Sequence, residues 1–247
     1  MRRQAILIGS VLCGALVVGC GQGRTKAPVS AAELVVAAAV DDYGGLDRLS
    51  RISTVRAYAL VTTYDERGGA HVCGQQLTIR PRAGRIESAG LLPGGSWRAK
   101  VSLDGGGGVS TSGRARLSES EKVGITQYLR LILHRVRGPM NLLGGGERPD
   151  RLDRVFVATL PLDRVLAAGR PELASAYFFD PATRELRLVT VGDYVAPGSG
   201  TVTSFRNARL DNGIMLPTWM EVVNLGANSF VGDRKILTVQ FTDVQTD

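Results

Sequence analysis

Histidine and cysteine, whose side chains serve most often as bases, nucleophiles and metal ligands, are scarce in this sequence. The chain has two histidines, His71 and His134, and three cysteines, Cys13, Cys20 and Cys73. No Cys-x-x-Cys pair or similar zinc spacing occurs. The sequence also lacks the G-x-S-x-G, H-E-x-x-H and phosphate-loop motifs, in which fixed spacing activates a serine, binds zinc or cradles phosphate. It therefore predicts neither an enzyme nor a resident cofactor or metal ion.

The first twenty residues have the organisation of an export signal. Arg2 and Arg3 precede an apolar run over residues 5–18, which ends at a small residue and a cysteine. These are the parts of a cleavable secretory signal. Val17-Val18-Gly19-Cys20 resembles the lipobox of bacterial lipoproteins, in which the cysteine follows a small residue, an aliphatic residue stands three positions before it, and the cysteine is acylated. The alternative is an uncleaved transmembrane helix, but a span needs about 20 apolar residues and this run is shorter.

Acylation at Cys20 would anchor the mature protein, because each methylene buried in the bilayer contributes about 0.8 kcal/mol. We expect a signal peptide over 1–19, the lipidated cysteine and a tether over 20–30, and one domain over 31–247. Gly21, rather than aspartate, follows the cysteine, which by resemblance to proteobacterial sorting rules favours the outer membrane, facing the periplasm. Cys73 would remain as a thiol, and we expect a small buried core residue there rather than a reactive group.

The composition suits a folded, basic envelope protein. Hydrophobic residues make up 44% of the chain and charged residues 21%, so a buried core can form. The formal net charge of +7 suits anionic lipid head groups, and export excludes a nucleic-acid partner. The basic residues include two groups, Arg80, Arg82 and Arg85, and Lys122, Arg130, Arg135 and Arg137. The alternative interpretation of both groups is a solvated face, and His134 is expected on the polar face of the second group.

Two capping boxes mark the starts of helices. Ser30 with Glu33 predicts a helix over 31–43, and Ser118 with Glu121 predicts a second one. Apolar residues recur at helical spacing in the second helix and cover more than one narrow stripe. Gly138-Pro139 predicts its end, so residues 140–146 are expected to form a mobile apolar loop.

Alternation of apolar and polar residues predicts antiparallel strands over most of the remaining chain. The predicted strands are 54–62, 72–80, 84–89, 96–103, 109–114, 154–160, 176–180, 185–191, 201–210, 215–225 and 235–244. Residues 90–95 are predicted as a loop, 162–168 as a helical turn and 197–200 as a turn. The regular spacing of turn residues predicts an α+β, mostly β domain whose antiparallel sheet is large enough to curl.

The order of the predicted helices and strands, and three short sequence segments within it, resemble the LolA/LolB-like superfamily of bacterial lipoprotein carriers and receptors. The segments are Leu103-Asp104-Gly105 with the helix start that follows, Tyr177 to Thr183 around a strand and turn, and Asn212 to Pro217 entering a late strand. The resemblance covers residues 31–246 and implies an incomplete β-barrel covered by a helical lid over an apolar cavity. The arginine that ties sheet to lid in the soluble carriers has its nearest counterpart in Arg56.

The resemblance and the broad apolar face of the second helix together give candidate ligand residues. The cavity candidates are Leu77, Trp97, Ile125, Tyr128, Leu129, Ile132 and Val136. The alternative for each is an ordinary core position. Leu91 and Leu92, in the predicted loop, are candidates for a membrane-contact loop of the kind found in the outer-membrane receptor, and the alternative is a loop folded onto the barrel rim.

The function predicted from these features is binding of lipid, acyl chains or a lipidated polypeptide in a hydrophobic cavity, in lipid or lipoprotein trafficking. The partners are the membrane, through the anchor, and the lipid or lipidated ligand. The alternative is a non-catalytic structural or signalling lipoprotein that docks another envelope protein. A connected apolar cavity of several hundred cubic ångströms would favour the first function, and a packed interior the second.

Overall fold

The computed structural model describes residues 29–157, 159–168, 175–191, 200–224 and 234–247. The predicted signal peptide, Cys20, most of the tether and nearly all of the turn predicted at 197–200 lie outside these residues. Within them, no helix combines the length and the apolar character needed to cross a bilayer.

The described strands form one antiparallel sheet. They are β1 (Val55–Tyr64), β2 (Ala70–Arg80), β3 (Arg85–Leu92), β4 (Gly95–Ser102), β5 (Gly107–Gly113), β6 (Arg148–Val157), β7 (Leu160–Ala168), β8 (Ser175–Phe179), β9 (Leu186–Val191), β10 (Thr201–Arg209), β11 (Met215–Asn224) and β12 (Lys235–Thr246). Their order is β5-β4-β3-β2-β1-β12-β11-β10-β9-β8-β7-β6. Every neighbouring pair is consecutive in the chain except β1 with β12. The edge strands β5 and β6 do not pair with each other, so the described sheet is not closed.

Two short helices precede the sheet. α1 (Ala31–Asp42) begins at the predicted capping box, in which Ser30 Oγ accepts a hydrogen bond from the Glu33 backbone N–H at 3.1 Å and the Glu33 carboxylate accepts one from the Ser30 N–H at 2.7 Å. α2 (Leu46–Leu49) leads into β1. α1 packs against β6 and β7, and Glu33 forms an ion pair with Arg148 at 3.3 Å. This packing covers one end of the concave face.

A single long helix, α3 (Glu119–Leu143), connects the two edges of the sheet. Its 25 residues reach about 37 Å, enough to cross the concave face from β5 to β6. It contacts β3, β4 and β5 as well as α1 and α2. Leu129, Ile132 and Leu133 are fully buried against the sheet. The predicted fold class, a mostly β, curled antiparallel sheet covered by a helix, is confirmed.

The prediction that α3 ends at Gly138-Pro139 is wrong, and so is the prediction of an apolar loop over residues 140–146. Pro139 lies inside the helix, which continues to Leu143. A proline inside a helix costs about 3 kcal/mol, because it lacks an N–H and its ring crowds the preceding turn. Leu142 and Leu143 are buried in the core, and full burial of two such side chains contributes about 3–6 kcal/mol. The burial outweighs the proline, so the helix goes on.

Two further segments differ from their predicted structure. Residues 162–168, predicted as a helical turn, belong to β7, which pairs with β6 and β8. Both faces of β7 are covered, since Leu162 and Val165 belong to different hydrophobic clusters, so the strand lacks the usual alternation. The loop predicted at 90–95 is also wrong, because β3 continues to Leu92 and a turn at Pro93-Gly94 is sufficient. Gly94 has φ +78°, which a glycine adopts without strain.

Candidate functional site: an apolar cleft beneath the long helix

A cleft of about 770 Å³ lies between the N-terminal half of α3 and the concave face of the sheet. The helix contributes one stripe of residues at three- and four-residue spacing, namely Glu121, Gly124, Ile125, Tyr128 and Leu131, together with Gln127 beside it. The sheet contributes mainly apolar side chains from five strands, including Val61, Cys73, Leu92, Trp97 and Leu237. The cleft is therefore walled by helix on one side and by sheet on the other, with most of its surface apolar.

A second groove of similar volume lies on the opposite, convex face of β2 to β5. Its lining includes Glu87, Arg98 and Lys100, whose charged groups are solvated in water. A groove of this kind gives an apolar molecule nothing to gain by leaving water. The apolar cleft is thus the candidate ligand site.

The start of α3 is fixed beside the cleft. Ser118 Oγ accepts a hydrogen bond from the Glu121 N–H at 3.2 Å, and the Glu121 carboxylate accepts one from the Ser118 N–H at 2.7 Å. The Ser118 hydroxyl and N–H lower the pKa of the Glu121 carboxyl. Glu121 thus stays charged at neutral pH, at the polar margin of the cleft.

A buried polar cluster holds the aromatic wall in place. Gln75 is almost fully buried, and its Oε1 accepts hydrogen bonds from Tyr128 Oη at 3.0 Å and from Ser88 Oγ at 2.9 Å. Burial raises the pKa of the Tyr128 phenol, so the hydroxyl remains a donor at neutral pH. These hydrogen bonds fix the position of the Tyr128 ring on α3 relative to β2. They thereby fix the distance between α3 and the sheet at this point.

Trp97 forms the other aromatic surface of the cleft. Its indole lies over Gly90, where a Cβ atom would come within 2.5 Å of the indole Nε1. A residue larger than glycine at position 90 would therefore displace the ring. Burial raises the pKa of the neighbouring Cys73 thiol, an effect that the Trp97 side chain partly offsets. The thiol is half-buried and protonated at neutral pH, and it lies in the wall of the cleft rather than at the buried core position that the sequence predicted.

The cavity residues predicted from the sequence divide into two groups. Trp97, Ile125 and Tyr128 line the cleft. The others, Leu77, Leu129, Ile132 and Val136, lie in the closed core instead. The lid helix therefore covers a cleft over its first half and a packed core over its second half. Contact of any of these residues with a ligand stays a prediction.

Leu91 and Leu92 point to opposite faces of the sheet, because consecutive residues of a strand alternate. Leu92 turns inward and forms part of the cleft wall, while Leu91 turns outward at the rim of the cleft and is 82% exposed. Val72 and Leu60 are also exposed on this convex face. Leu91 was a candidate from the sequence, whereas Val72 and Leu60 were not, although both occupy polar-face positions in the alternation of β1 and β2.

The arginine that ties the helix to the sheet differs from the predicted one. Arg56 faces solvent on β1 and forms an ion pair with Asp247 at 2.8 Å. The buried arginine is Arg135 on α3, which donates a hydrogen bond from Nη2 to Thr201 Oγ1 on β10. The sequence predicted Arg135 on a polar face. Its position four residues after Leu131 and seven after Tyr128 puts it on the stripe that faces the sheet, which helical spacing could have shown.

His134, one residue before Arg135, lies on the outer side of α3 and is exposed, as predicted. Burial of part of the ring and the nearby positive charges of Arg135, Arg137 and Arg130 lower the pKa of its imidazole. Across the described ranges, no three histidine, cysteine or acidic side chains come together as a metal site would require.

A curled antiparallel sheet crossed by one long helix, with an apolar cleft between them, is the architecture that the sequence resemblance to lipoprotein carriers implied. No family model and no curated protein matches this chain. A DUF1329 family protein from Desulfovibrio piger is similar in structure, with a TM-score of 0.50 and 10% identity over 86% of this chain and 93% of that one. A LolA superfamily protein from Nitrosomonas europaea has a TM-score of 0.49 and 10% identity over 88% and 94%.

A putative outer membrane lipoprotein-sorting protein domain from Vibrio parahaemolyticus has a TM-score of 0.46 and 9% identity over 87% of this chain and 91% of that domain. At identities this low, structural likeness concerns the fold alone. At that level the fold that the sequence resemblance implied is confirmed.

Proposed function

We propose that this protein is an envelope lipoprotein that binds the acyl chain of a lipid or of a lipidated polypeptide in the apolar cleft, without catalysing a reaction. The cleft itself carries the proposal. Its volume of about 770 Å³ lies within the range of about 300–1,000 Å³ for ligand pockets, and its walls are mainly apolar with a few polar groups. An acyl chain gains free energy in such a cleft because it leaves water.

The surface beside the cleft supports exchange with a membrane or a second carrier. Val72 and Leu91 line the cleft and are also exposed, by 61% and 82%. An apolar surface that leads from solvent into the cleft would let a chain move inward without full exposure to water. Leu91 and Leu92, proposed from the sequence as membrane contacts, thus serve as one rim and one wall of the same site.

The location proposed for this activity is the periplasmic side of the outer membrane. The supporting observation is the sequence around Cys20, with its lipobox-like Val17-Val18-Gly19 and the glycine that follows. Labelling cells with a palmitate analogue tests the anchor on which this location depends. We expect the wild-type protein to be labelled and to sediment with membranes, and a Cys20→Ser variant to lose the label.

Gly124 offers a way to close the cleft without harming the fold. It lines the cleft on α3, and a Cβ atom added there meets no atom within 4 Å. Gly124→Phe would fill the space, whereas Gly124→Ala would not. Both replace a helical glycine, so both should keep or raise stability, the alanine by about 1 kcal/mol.

The test measures uptake of a fluorescent fatty acid by the mature Cys20→Ser protein and by the two variants in that background. We expect the wild-type cleft and Gly124→Ala to bind, and Gly124→Phe to bind at least tenfold more weakly at equal thermal stability. Equal binding by all three proteins would place the ligand elsewhere. Absence of binding, together with recovery of lipid-free protein from its own envelope, would reject the carrier function in favour of a module that docks another envelope protein.

A further inference from the structure

Arg135 is a buried cation whose charge the described part of the molecule does not neutralise. Its side chain lies between α3 and β10, and the residue is only 5% exposed. Nη2 donates to the Thr201 hydroxyl, while Nε is enclosed and has no hydrogen-bond partner among the described residues. The Nε atoms of Arg130 and Arg137 also lack a partner there, but those residues are only half-buried, so Arg135 is distinguished by the burial of its whole side chain. Burial lowers the pKa of the guanidinium to about 10, which still leaves it charged at neutral pH.

No carboxylate compensates this charge within the described ranges. The ion pairs found there involve neither Arg135 nor its helix neighbours Arg130 and Arg137. The helix segment itself supplies no partner, since residues 122–146 contain no aspartate or glutamate. Thr203, two residues after Thr201 on the same face of β10, is fully buried, and its hydroxyl also lacks a described partner.

The helix dipole accounts for only part of this arrangement. A cation in the last turn of a helix is stabilised by the carbonyl groups that end there. Arg135 lies about two turns before Leu143, however, and this effect falls off within the last turn. A buried, unpaired guanidinium is costly, whereas a charge-assisted, bidentate pair with an anion satisfies it. The arrangement therefore favours an anion as its missing partner.

The site lies beyond the inner end of the apolar cleft, and Arg135, Thr201 and Thr203 do not themselves line the cleft. On α3, Arg135 follows the cleft residues Tyr128 and Leu131 along the same stripe. On the sheet, the cleft residue Leu237 pairs with Val222, which pairs with Thr203. Two strand spacings separate Leu237 from Thr203, a distance of about 10 Å. A molecule whose chain occupies the cleft can thus present a head group to Arg135.

We propose that Arg135, with the hydroxyls of Thr201 and Thr203, binds the anionic head group of the ligand whose acyl chain lies in the cleft. The ligand class is then an anionic amphiphile, with a carboxylate or phosphate at one end. This inference rests on the proposed function, because it requires the chain to occupy the cleft.

The test compares amphiphiles that differ only in the head group. Palmitate and its uncharged methyl ester are titrated into the mature Cys20→Ser protein, and inorganic phosphate is titrated separately. The variants are Arg135→Met, which keeps the apolar stem, Arg135→Lys, which keeps a charge, and Arg130→Met. Arg130 is the matched control, because it carries the same charge on the same helix but lies about 140° around its axis from Arg135.

We expect the wild-type protein and Arg130→Met to bind palmitate at least tenfold more tightly than the ester. Arg135→Met should bind both about equally, with ester affinity unchanged, and Arg135→Lys should keep part of the preference. Thermal unfolding of Arg135→Met without ligand should be unchanged or occur at a higher temperature, because an unpaired buried charge has been removed.

Each other result counts against the inference in a distinguishable way. Equal binding of palmitate and ester by the wild-type protein leaves the cleft function intact and removes the anion site. An unchanged preference in Arg135→Met assigns it to another cation. Strong destabilisation of both Arg135 variants shows a structural arginine, and tight binding of phosphate alone, with no effect of the chain, shows an anion site unconnected to the cleft. Failure of both amphiphiles to bind rejects the inference together with the proposed function.

Discussion

Cys73 places a thiol against the apolar cleft, where it can report on occupancy. Its side chain is half-buried beside Trp97, and burial raises the thiol pKa. A thiol whose pKa is raised holds less thiolate at any pH below that value, and thiolate is the reactive form. In the folded Cys20→Ser mature protein, Cys73 is the remaining cysteine.

We therefore expect a maleimide or disulfide reagent to modify Cys73 more slowly at pH 8 in the folded protein than in denaturant. The reaction rate should continue to rise at pH values above those at which a free cysteine is already fully reactive. A fatty acid bound in the cleft should slow the reaction further, because Cys73 lines its wall. Gly124→Phe should react slowly with or without fatty acid. A rate that ignores the ligand would show that the bound chain does not reach Cys73.

At the same scale, the sequence located some side chains well and others poorly. Trp97 and Tyr128 were predicted at the ligand surface and line the cleft, since each stands in a regular strand or helix whose orientation alternation or helical spacing fixes. Arg135 was misplaced because its charge suggested solvent. Its burial depends on β10, a strand far away in the chain, so only the tertiary structure shows it.

Among the elements, helix starts were predictable and one helix end was not. Both capping boxes form as the sequence indicated, because a cap needs only residues three positions apart. The end of α3 depends on whether Leu142 and Leu143 find a core, and β7 depends on pairing with β6 and β8. Local pattern alone therefore misassigned both segments.

The two caps allow the role of α3 to be separated from general stability. Ser118→Ala and Ser30→Ala each remove the same kind of hydrogen bond and should each lower the free energy of unfolding by about 1 kcal/mol. Only Ser118 begins the helix whose first turns carry Glu121, Gly124 and Ile125 along the cleft. Fraying of these turns would disorder one wall of the site.

Fatty-acid affinity should thus fall severalfold in Ser118→Ala and stay unchanged in Ser30→Ala, although denaturant unfolding shows similar losses. Equal losses of affinity would mean that binding follows overall stability. Unchanged affinity in both would mean that the first turns of α3 do not form the ligand wall.

At the scale of the whole molecule, one pairing joins the two halves of the sheet. β1 and β12 are far apart in sequence but adjacent in space, with Ala59 opposite Phe241 and Val61 opposite Val239. The sequence predicts each strand from its alternation, but nothing local shows that the first strand pairs with the last. The curl of the sheet could be expected from the number of strands. The pairing of β1 with β12, which we call the seam, could only be observed in the structure.

The seam also predicts how the protein unfolds. Trp97 on β4 and Trp219 on β11 lie in different halves, so Trp97→Phe and Trp219→Phe proteins each report one half by fluorescence. Because the same seam and the same helix hold both halves, we expect the two halves to unfold at the same denaturant concentration, as in two-state unfolding. The two variants differ slightly in stability, and circular dichroism of each variant measures this difference so that the fluorescence transitions can be corrected for it.

Val239→Ala tests the same prediction, since Val239 is fully buried at the seam and its truncation should cost about 2 kcal/mol. If the halves are coupled, both tryptophan transitions move to lower denaturant by the same amount, because neither half can lose the seam without the other. A shift confined to the Trp219 signal would instead show two half-sheets that unfold separately. In that case the cleft would lose the wall that Leu237 on β12 contributes while β1 to β5 were still folded, and ligand binding would be lost together with the second half.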